Sequence, residues 1–264
     1  MFGLNSDIRN ISRDSCKEIP SDRRTALKLD IERSQFIVRK NFSSVAGSRL
    51  LGQLWLVMDP LIQAGIYFFV LVVLRAREDP QSLLIGITYV RILQLGLKKG
   101  FVSSIDFSGG IKIERVRTRV FLFSEGILSF TNTFFSTIGV IVGFVFFFGE
   151  GIIEMAILFI LAYFLYLFWY VLGFFLSPIG VLVPDTIPIV SYFGMLMFFA
   201  SPAIYTLGQT TGAHRDLCLI NPFSYFVEAA RAVVLGSEDY KLLSVDLGVA
   251  FAVLLVSLII ANIL

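Results

Sequence analysis

The sequence predicts an all-α membrane protein with six transmembrane helices, an N-terminal amphipathic interfacial helix, and a short external re-entrant helix between spans five and six. Three observations predict it. Apolar residues make up 56% of the 264 positions and Asp, Glu, Lys and Arg only 16%, against about 45–50% and about 25% in soluble domains. Apolar stretches near the length that crosses a bilayer recur along the chain. Lysine and arginine gather on alternate connections between them. This composition disfavours a soluble enzyme, a disordered chain and a nucleic-acid-binding module together, and the length leaves room for one membrane bundle with little else.

Behind a cytoplasmic segment at 1–53, spans are expected at 54–74, 127–148, 152–176, 186–207 and 247–264, with a weaker one at 83–105. The weaker span carries Arg91, Lys98 and Lys99, and a cation held at mid-bilayer costs about 2.5–3.5 kcal/mol. Lys98 and Lys99 lie late enough to snorkel toward an interface, so Arg91 is the real objection. Parity and charge both require the span. Residues 1–53 carry ten Lys and Arg, and the connection 107–126 carries four (Lys112, Arg115, Arg117 and Arg119). The opposite side carries five: Arg75, Arg77, Arg215, Arg231 and Lys241. Fourteen against five puts the N-terminus in the cytoplasm. Residues 1–20 are polar and mixed in charge, so no cleavable signal peptide is expected there.

From about Arg23 to Ala46, Leu27, Ile31, Val38, Phe42 and Val45 recur at helical intervals, with Arg24, Lys28, Arg39 and Lys40 largely elsewhere on the wheel. The pattern predicts a basic helix lying at the membrane surface or packed on a soluble partner, with the surface preferred. Near the other end, Asn221 suits an N-cap, Pro222 the first helical position and Gly236 a stop. A helix of about 14 residues is about 21 Å long, too short for about 30 Å of hydrocarbon. It is expected to be re-entrant or surface-lying.

Catalytic constellations are missing from the sequence. The single histidine, His214, stands in the polar loop before the last span and is read as solvated, without a metal site. No Gly-x-x-x-x-Gly-Lys-Ser/Thr occurs, and no lysine is followed by Ser or Thr, so any nucleotide-driven work must use a site on another chain. Glu150 and Glu154 share a face but have no basic or nucleophilic neighbour, which argues against a membrane-embedded transferase. A secondary carrier would show internal repeats, and none is seen.

The most specific run is SRLLGQLWLVMDPL at the start of the first span. Gly52 relaxes the junction, Trp55 suits the headgroup layer, and Pro60 can kink the helix it has entered. Gly52, Trp55 and Pro60 behind the basic helix FIVRKNF (Phe36 to Phe42) resemble the membrane subunit of ABC-2 type exporters. Within that family the resemblance is to the permeases for O-antigen, capsular polysaccharide and teichoic acid. Tyr89 to Phe101 (YVRILQLGLKKGF) is similar to the family's second span. Ser201, Pro202 and Tyr205 resemble its SP-x-x-Y, and Asn221, Pro222, Arg231 and Gly236 resemble its NP…R…G element. The likeness runs from about residue 25 to 264 and departs at Pro184-Asp185, where the family has Arg-Asp.

The resemblance implies a permease subunit, not itself an enzyme, in the cytoplasmic (inner) membrane. It would pair as a homodimer over two copies of an ABC ATPase that supply ATP and Mg, with no cofactor in this chain, and export a lipid-linked glycan. The expected coupling helix falls on Ile113 to Phe123, with Arg115, Arg117 and Arg119 as candidate ATPase contacts. The positive-inside rule alone would also place charge there. An ABC-2 permease for another amphiphile, such as a lipid or drug, is the alternative. One reading comes from the residues themselves: Thr88, Arg91, Gln94 and Lys98 are spaced i, i+3, i+6 and i+10, a polar stripe on one helical face. Such a stripe either lines the translocation path, where Arg91 and Lys98 would meet a diphosphate, or pairs with another helix or Asp59 inside the bundle.

Overall fold

The computed structural model describes residues 23–47, 54–55, 58, 61–62, 65–66, 69, 80–110, 118–149, 151–236, 248 and 252. Among these residues there is no strand. The helices are α1 (Arg23–Gly47), α2 (Pro80–Gly110), α3 (Thr118–Gly143), α4 (Ile152–Leu182), α5 (Thr186–Phe199), α6 (Gly212–Ile220) and α7 (Pro222–Leu235). A π-helical turn, Phe144–Phe148, extends α3, and a 3₁₀ turn, Leu207–Gln209, follows α5.

α2 is the centre of the bundle. It packs against α3, α4, α5 and α7, and Ile85, Ile87, Tyr89, Val90, Ile92 and Leu93 are buried on all its sides. This explains how a helix with three cations and only moderate hydropathy holds a core position: most of its surface meets protein rather than lipid. The α2–α4 crossing is backbone on backbone. A methyl group on Gly100 would come within 2.0 Å of the Tyr170 carbonyl, and one on Gly173 within 2.3 Å of the Leu97 carbonyl. Small residues at such a crossing let dispersion contacts and close approach do the work that the hydrophobic effect cannot do inside lipid.

The partners fix the relative directions. Tyr89 donates to the Leu158 carbonyl at 2.7 Å, while Gly96 and Gly100 face Tyr166 and Tyr170, so numbers rise together and α2 runs parallel to α4. Tyr166 donates to Glu125 at 3.0 Å, and Phe130 meets Phe159 edge to face at 5.3 Å, so α3 runs antiparallel to α4. Gln94 donates to the Gly194 carbonyl and Gly86 lies under Ala203, so α5 runs antiparallel to α2. Four successive helices therefore alternate in direction.

Two helices among the described residues are long and apolar enough to cross a membrane, Ser124–Val142 within α3 and Ile152–Leu182, and a third is added if α6 and α7, bent by 91° at Asn221, form one broken span. α4 outruns the expected end at 176 because Pro178 does not stop it. Proline removes the amide that would have bonded the carbonyl four residues back, here that of Phe174, and the Ser177 hydroxyl donates to that carbonyl at 2.6 Å. α5 is shorter than the expected 186–207. It ends at Phe199, since Pro202 cannot continue the ladder, and at 14 residues it reaches only about 21 Å. The start of α3 at Thr118 makes residues 118–123 of the expected coupling helix continuous with the candidate span Ser124–Val142.

α1 packs against α3. Its buried positions are Asp30, Ser34 and Val38, spaced i, i+4 and i+8, while Leu27, Ile31 and Phe36 are exposed. The expected apolar stripe is thus split, with Val38 inward and Leu27 and Ile31 outward, because the small Ser34 gives closer approach than a row of leucines. Most of 54–74, and nearly all of 247–264, lies outside the described residues; Leu61 of the first stretch packs on Gly139 of α3.

Candidate functional site: the break between α5 and α7

Ending a helix inside a bundle leaves backbone carbonyls without amides, each costly when dry. The chain answers them one by one behind α5. The Ala200 amide donates to the Leu196 carbonyl at 3.0 Å, the Ser201 hydroxyl donates to that of Met197, and the Tyr205 phenol donates to that of Phe199 at 3.0 Å. The Cys218 thiol lies 3.9 Å from the Ala200 carbonyl, and the Ala203 amide donates to Ser201 at 2.7 Å. The carbonyls of Pro202, Ala203 and Tyr205 are met by one distant residue.

That residue is Arg231, with 3% of its surface exposed. Nη1 donates to the carbonyls of Pro202 at 2.6 Å and Tyr205 at 3.0 Å, and Nη2 to that of Ala203 at 3.0 Å. Nε and Nη2 both reach the Ser82 carbonyl at 3.2 Å, in the first turn of α2. The charge is balanced by Glu228, one turn earlier on α7, whose Oε1 accepts from Nη1 at 2.8 Å and from the Leu207 amide at 3.0 Å. A guanidinium carries five N–H donors in a fixed planar fork, and this node uses the whole fork. It joins three elements: the start of α2, the unwound stretch 201–206, and α7.

Gly86 makes the node possible. A methyl there would lie 1.9 Å from the Ala203 carbonyl oxygen and 2.9 Å from Arg231 Nη2, so the unwound backbone crosses α2 over a position with no side chain.

α7 forms as its punctuation predicts. Asn221 Oδ1 accepts from the Phe223 amide at 3.1 Å, Pro222 opens the helix, and Gly236 closes it at a φ of +70°. It is not surface-lying, however: Phe223, Phe226, Val227, Ala229, Ala230, Arg231 and Val234 are buried, and the helix packs between α2 and α4. Its 91° bend from α6 is that of a broken span or of a re-entrant loop.

α6 departs from the expected polar loop. His214 is not simply solvated, because its Nε2 hydrogen-bonds the Tyr205 hydroxyl, and the two rings meet edge to face with centroids 4.8 Å apart. Cys218, one helical turn on, is buried, with Sγ 3.9 Å from the same hydroxyl. Burial pushes the Cys218 thiol up from its ordinary value.

The polar stripe of α2 divides. Thr88 is buried and donates to the Leu84 carbonyl of its own helix at 2.7 Å. Gln94 donates to the Gly194 carbonyl of α5 at 3.0 Å, so this member pairs inside the bundle. Arg91 is half-buried and Lys98 exposed, so the stripe runs from a buried end to an exposed one. Trp55 is helical and half-buried, while Gly52 and Pro60 lie outside the described residues, as do Asp59, Arg115 and Arg117. Arg119 stands in the first turn of α3.

Pro202, Tyr205 and Arg231, far apart in the sequence, thus meet at one node, with Ser201 capping the end of α5 beside it and Asn221 and Pro222 starting the helix that carries Arg231. Gly86, Glu228 and Cys218 belong there too and were not singled out. A carboxylate three residues before a buried arginine was a visible signal for Glu228, but nothing local marks Gly86. No protein-family model matches the chain, and no curated protein matches it either.

Proposed function

We propose that this chain is the permease subunit of an ATP-driven exporter of the ABC-2 type, moving a lipid-linked polysaccharide of the O-antigen, capsule or teichoic acid kind across the cytoplasmic membrane. The observation that carries the reading is the node at Arg231. The two motifs that suggested the family, SP-x-x-Y at 201–205 and NP…R…G at 221–236, are separate in sequence, and Arg231 of the second bonds the Pro202 and Tyr205 carbonyls of the first, 29 and 26 residues away. Motifs that matched by chance would have no reason to complete each other's backbone.

The alternating directions of α2 to α5 fit spans two to five of a six-span topology, with 54–74 as the first and 247–264 as the last. The α6–α7 pair then re-enters on the external side. Two such subunits would face each other over two ATPase copies. Arg115, Arg117 and Arg119, at the head of α3, would transmit ATPase closure to the bundle, and the path between the subunits would open along α2, where Arg91 and Lys98 attract the diphosphate of the carrier lipid. Broken helices at membrane depth suit such a role, since unwound backbone there is tolerated where it is held by protein or lines a cavity.

Affinity-tagged chain, purified in mild detergent from its own cell membranes, tests the reading. The expected result is a stoichiometric P-loop ATPase whose hydrolysis is inhibited by vanadate. Isolation of the intact chain with no ATPase, together with ion-driven uptake in vesicles, would overturn it.

A further inference from the structure

Two charges on α6 have no part in the Arg231 node. Arg215 and Asp216 are exposed, and among the described residues their side chains have no hydrogen bond or ion pair. Their depth follows from the contacts of the helix that carries them. α6 is held against the last turn of α5: Cys218 Sγ lies 3.9 Å from the Ala200 carbonyl, and His214 meets the phenol that donates to Phe199. Asn221, where α6 ends, lies 3.8 Å by Nδ2 from Met197 Sδ. On α2 this turn is bracketed by Gln94, bonded to Gly194, and Gly86, under Ala203. Between those two, Tyr89 bonds Leu158, which stands about 9 Å inside the start of α4 at Ile152. α4 is long and apolar enough to cross a membrane, so α6 lies within its length and not beyond its end.

Ionisable side chains at membrane depth face protein or a water-filled cavity, and a segment that does not span is tolerated there on the same terms. Of the nine residues of α6 only Cys218 is buried, so protein covers neither charge. The sides of the helix differ. Ala213, Leu217 and Ile220 recur at i, i+4 and i+7, and Arg215 stands opposite them. Leu217 and Ile220, 49% and 81% exposed, suit lipid, whereas Arg215 requires water.

We propose that the Arg215 side of α6 lines a water-filled vestibule, sunk into the membrane from the side where α4 begins, and that this vestibule takes the hydrated, polyhydroxylated part of the transported molecule. A guanidinium only donates hydrogen bonds and a carboxylate only accepts them; a hydroxyl answers both. The opposite signs of Arg215 and Asp216 leave the wall without net charge, which suits a neutral sugar better than a diphosphate. The second half of the proposal rests on the permease reading, and the first does not.

The test labels Arg215→Cys in the full chain carrying Cys16→Ser, in sealed cells and in inside-out vesicles. The parent, with buried Cys218, sets the background. Arg215 has no partner to lose, so the variant is expected to fold. A small, charged methanethiosulfonate should react from the outer face, and a bulky polymer-linked maleimide should react only after the chain is unfolded in detergent. Reaction with both would put α6 on the surface, and reaction with neither would put Arg215 against lipid or protein; either result overturns the vestibule. Once the small reagent is attached, export should fall severalfold, and unchanged export would take the vestibule off the path and overturn the second half. Labelling needs no ATPase. A chain that labels as expected but has no ATPase partner, or labels only in inside-out vesicles, would contradict the permease reading and leave the vestibule standing.

Discussion

Arg231 donates through Nη2 to the Ala203 carbonyl at 3.0 Å, across the one position on α2, Gly86, where a side chain would occupy the space of that oxygen. The buried charge and the missing side chain are thus two halves of one device for running unwound backbone past a central helix.

Replacing Arg231 is expected to be severe. Arg231→Met takes a donor from four carbonyls and the counter-charge from Glu228, and removing one partner of a buried pair costs about 3–5 kcal/mol. Arg231→Lys keeps the charge but loses the planar fork, and is expected to recover only a minor part. Thermal unfolding of the detergent-solubilised protein checks both; a loss under about 1 kcal/mol for Arg231→Met would mean the node is not structural.

At Gly86 the expected effect comes from space alone. Gly86→Ala puts a methyl 1.9 Å from the Ala203 oxygen, and overpacking costs about 1–3 kcal/mol even where neighbours yield. Gly126 on α3 is the control, since a methyl there meets nothing within 4 Å. Gly126→Ala should be neutral or stabilising by up to about 1 kcal/mol. Equal melting temperatures for the two variants would contradict the close crossing.

Ser177 and Pro178 make a coupled pair. Ser177→Ala exposes the Phe174 carbonyl and is expected to cost about 1 kcal/mol, the net worth of a hydrogen bond. In a Pro178→Ala background the helix amide returns to that carbonyl, and the cost of Ser177→Ala should fall toward zero. A double-mutant cycle showing additive effects would separate the serine from the proline.

On the proposed path, Arg91→Gln should reduce export severalfold while the subunit still assembles with its ATPase, because a charge that meets the carrier diphosphate acts on transport and not on folding. Gln94→Ala should instead lower stability, since its amide holds α5. Normal export by Arg91→Gln with normal assembly would exclude the residue from the path.

How much was legible follows from where each signal sits. The bounds of α7 could be read because Asn221, Pro222 and Gly236 act within a turn of themselves. The partners of Arg231 could not, because one of its carbonyls lies 149 residues away and carbonyls have no sequence signature. A helix over 83–105 was legible despite Arg91, and α2 covers it, with Arg91 half-buried and Lys98 and Lys99 exposed. The expected fifth span was read too long, because the apolar run from 186 continues past Pro202 while the hydrogen bonds do not. The helix α6 was missed since His214, Arg215 and Asp216 make it look like a loop, and only Cys218 of its residues is buried.

Translocation itself tests the central claim most directly. In inside-out membrane vesicles containing the chain and its ATPase, a radiolabelled polyprenyl-diphosphate-linked oligosaccharide should move to the lumenal leaflet when ATP and Mg are added, and should stay behind with vanadate or with a hydrolysis-deficient ATPase. Movement at the same rate without ATP, or none with both subunits assembled and ATP being hydrolysed, would contradict the account.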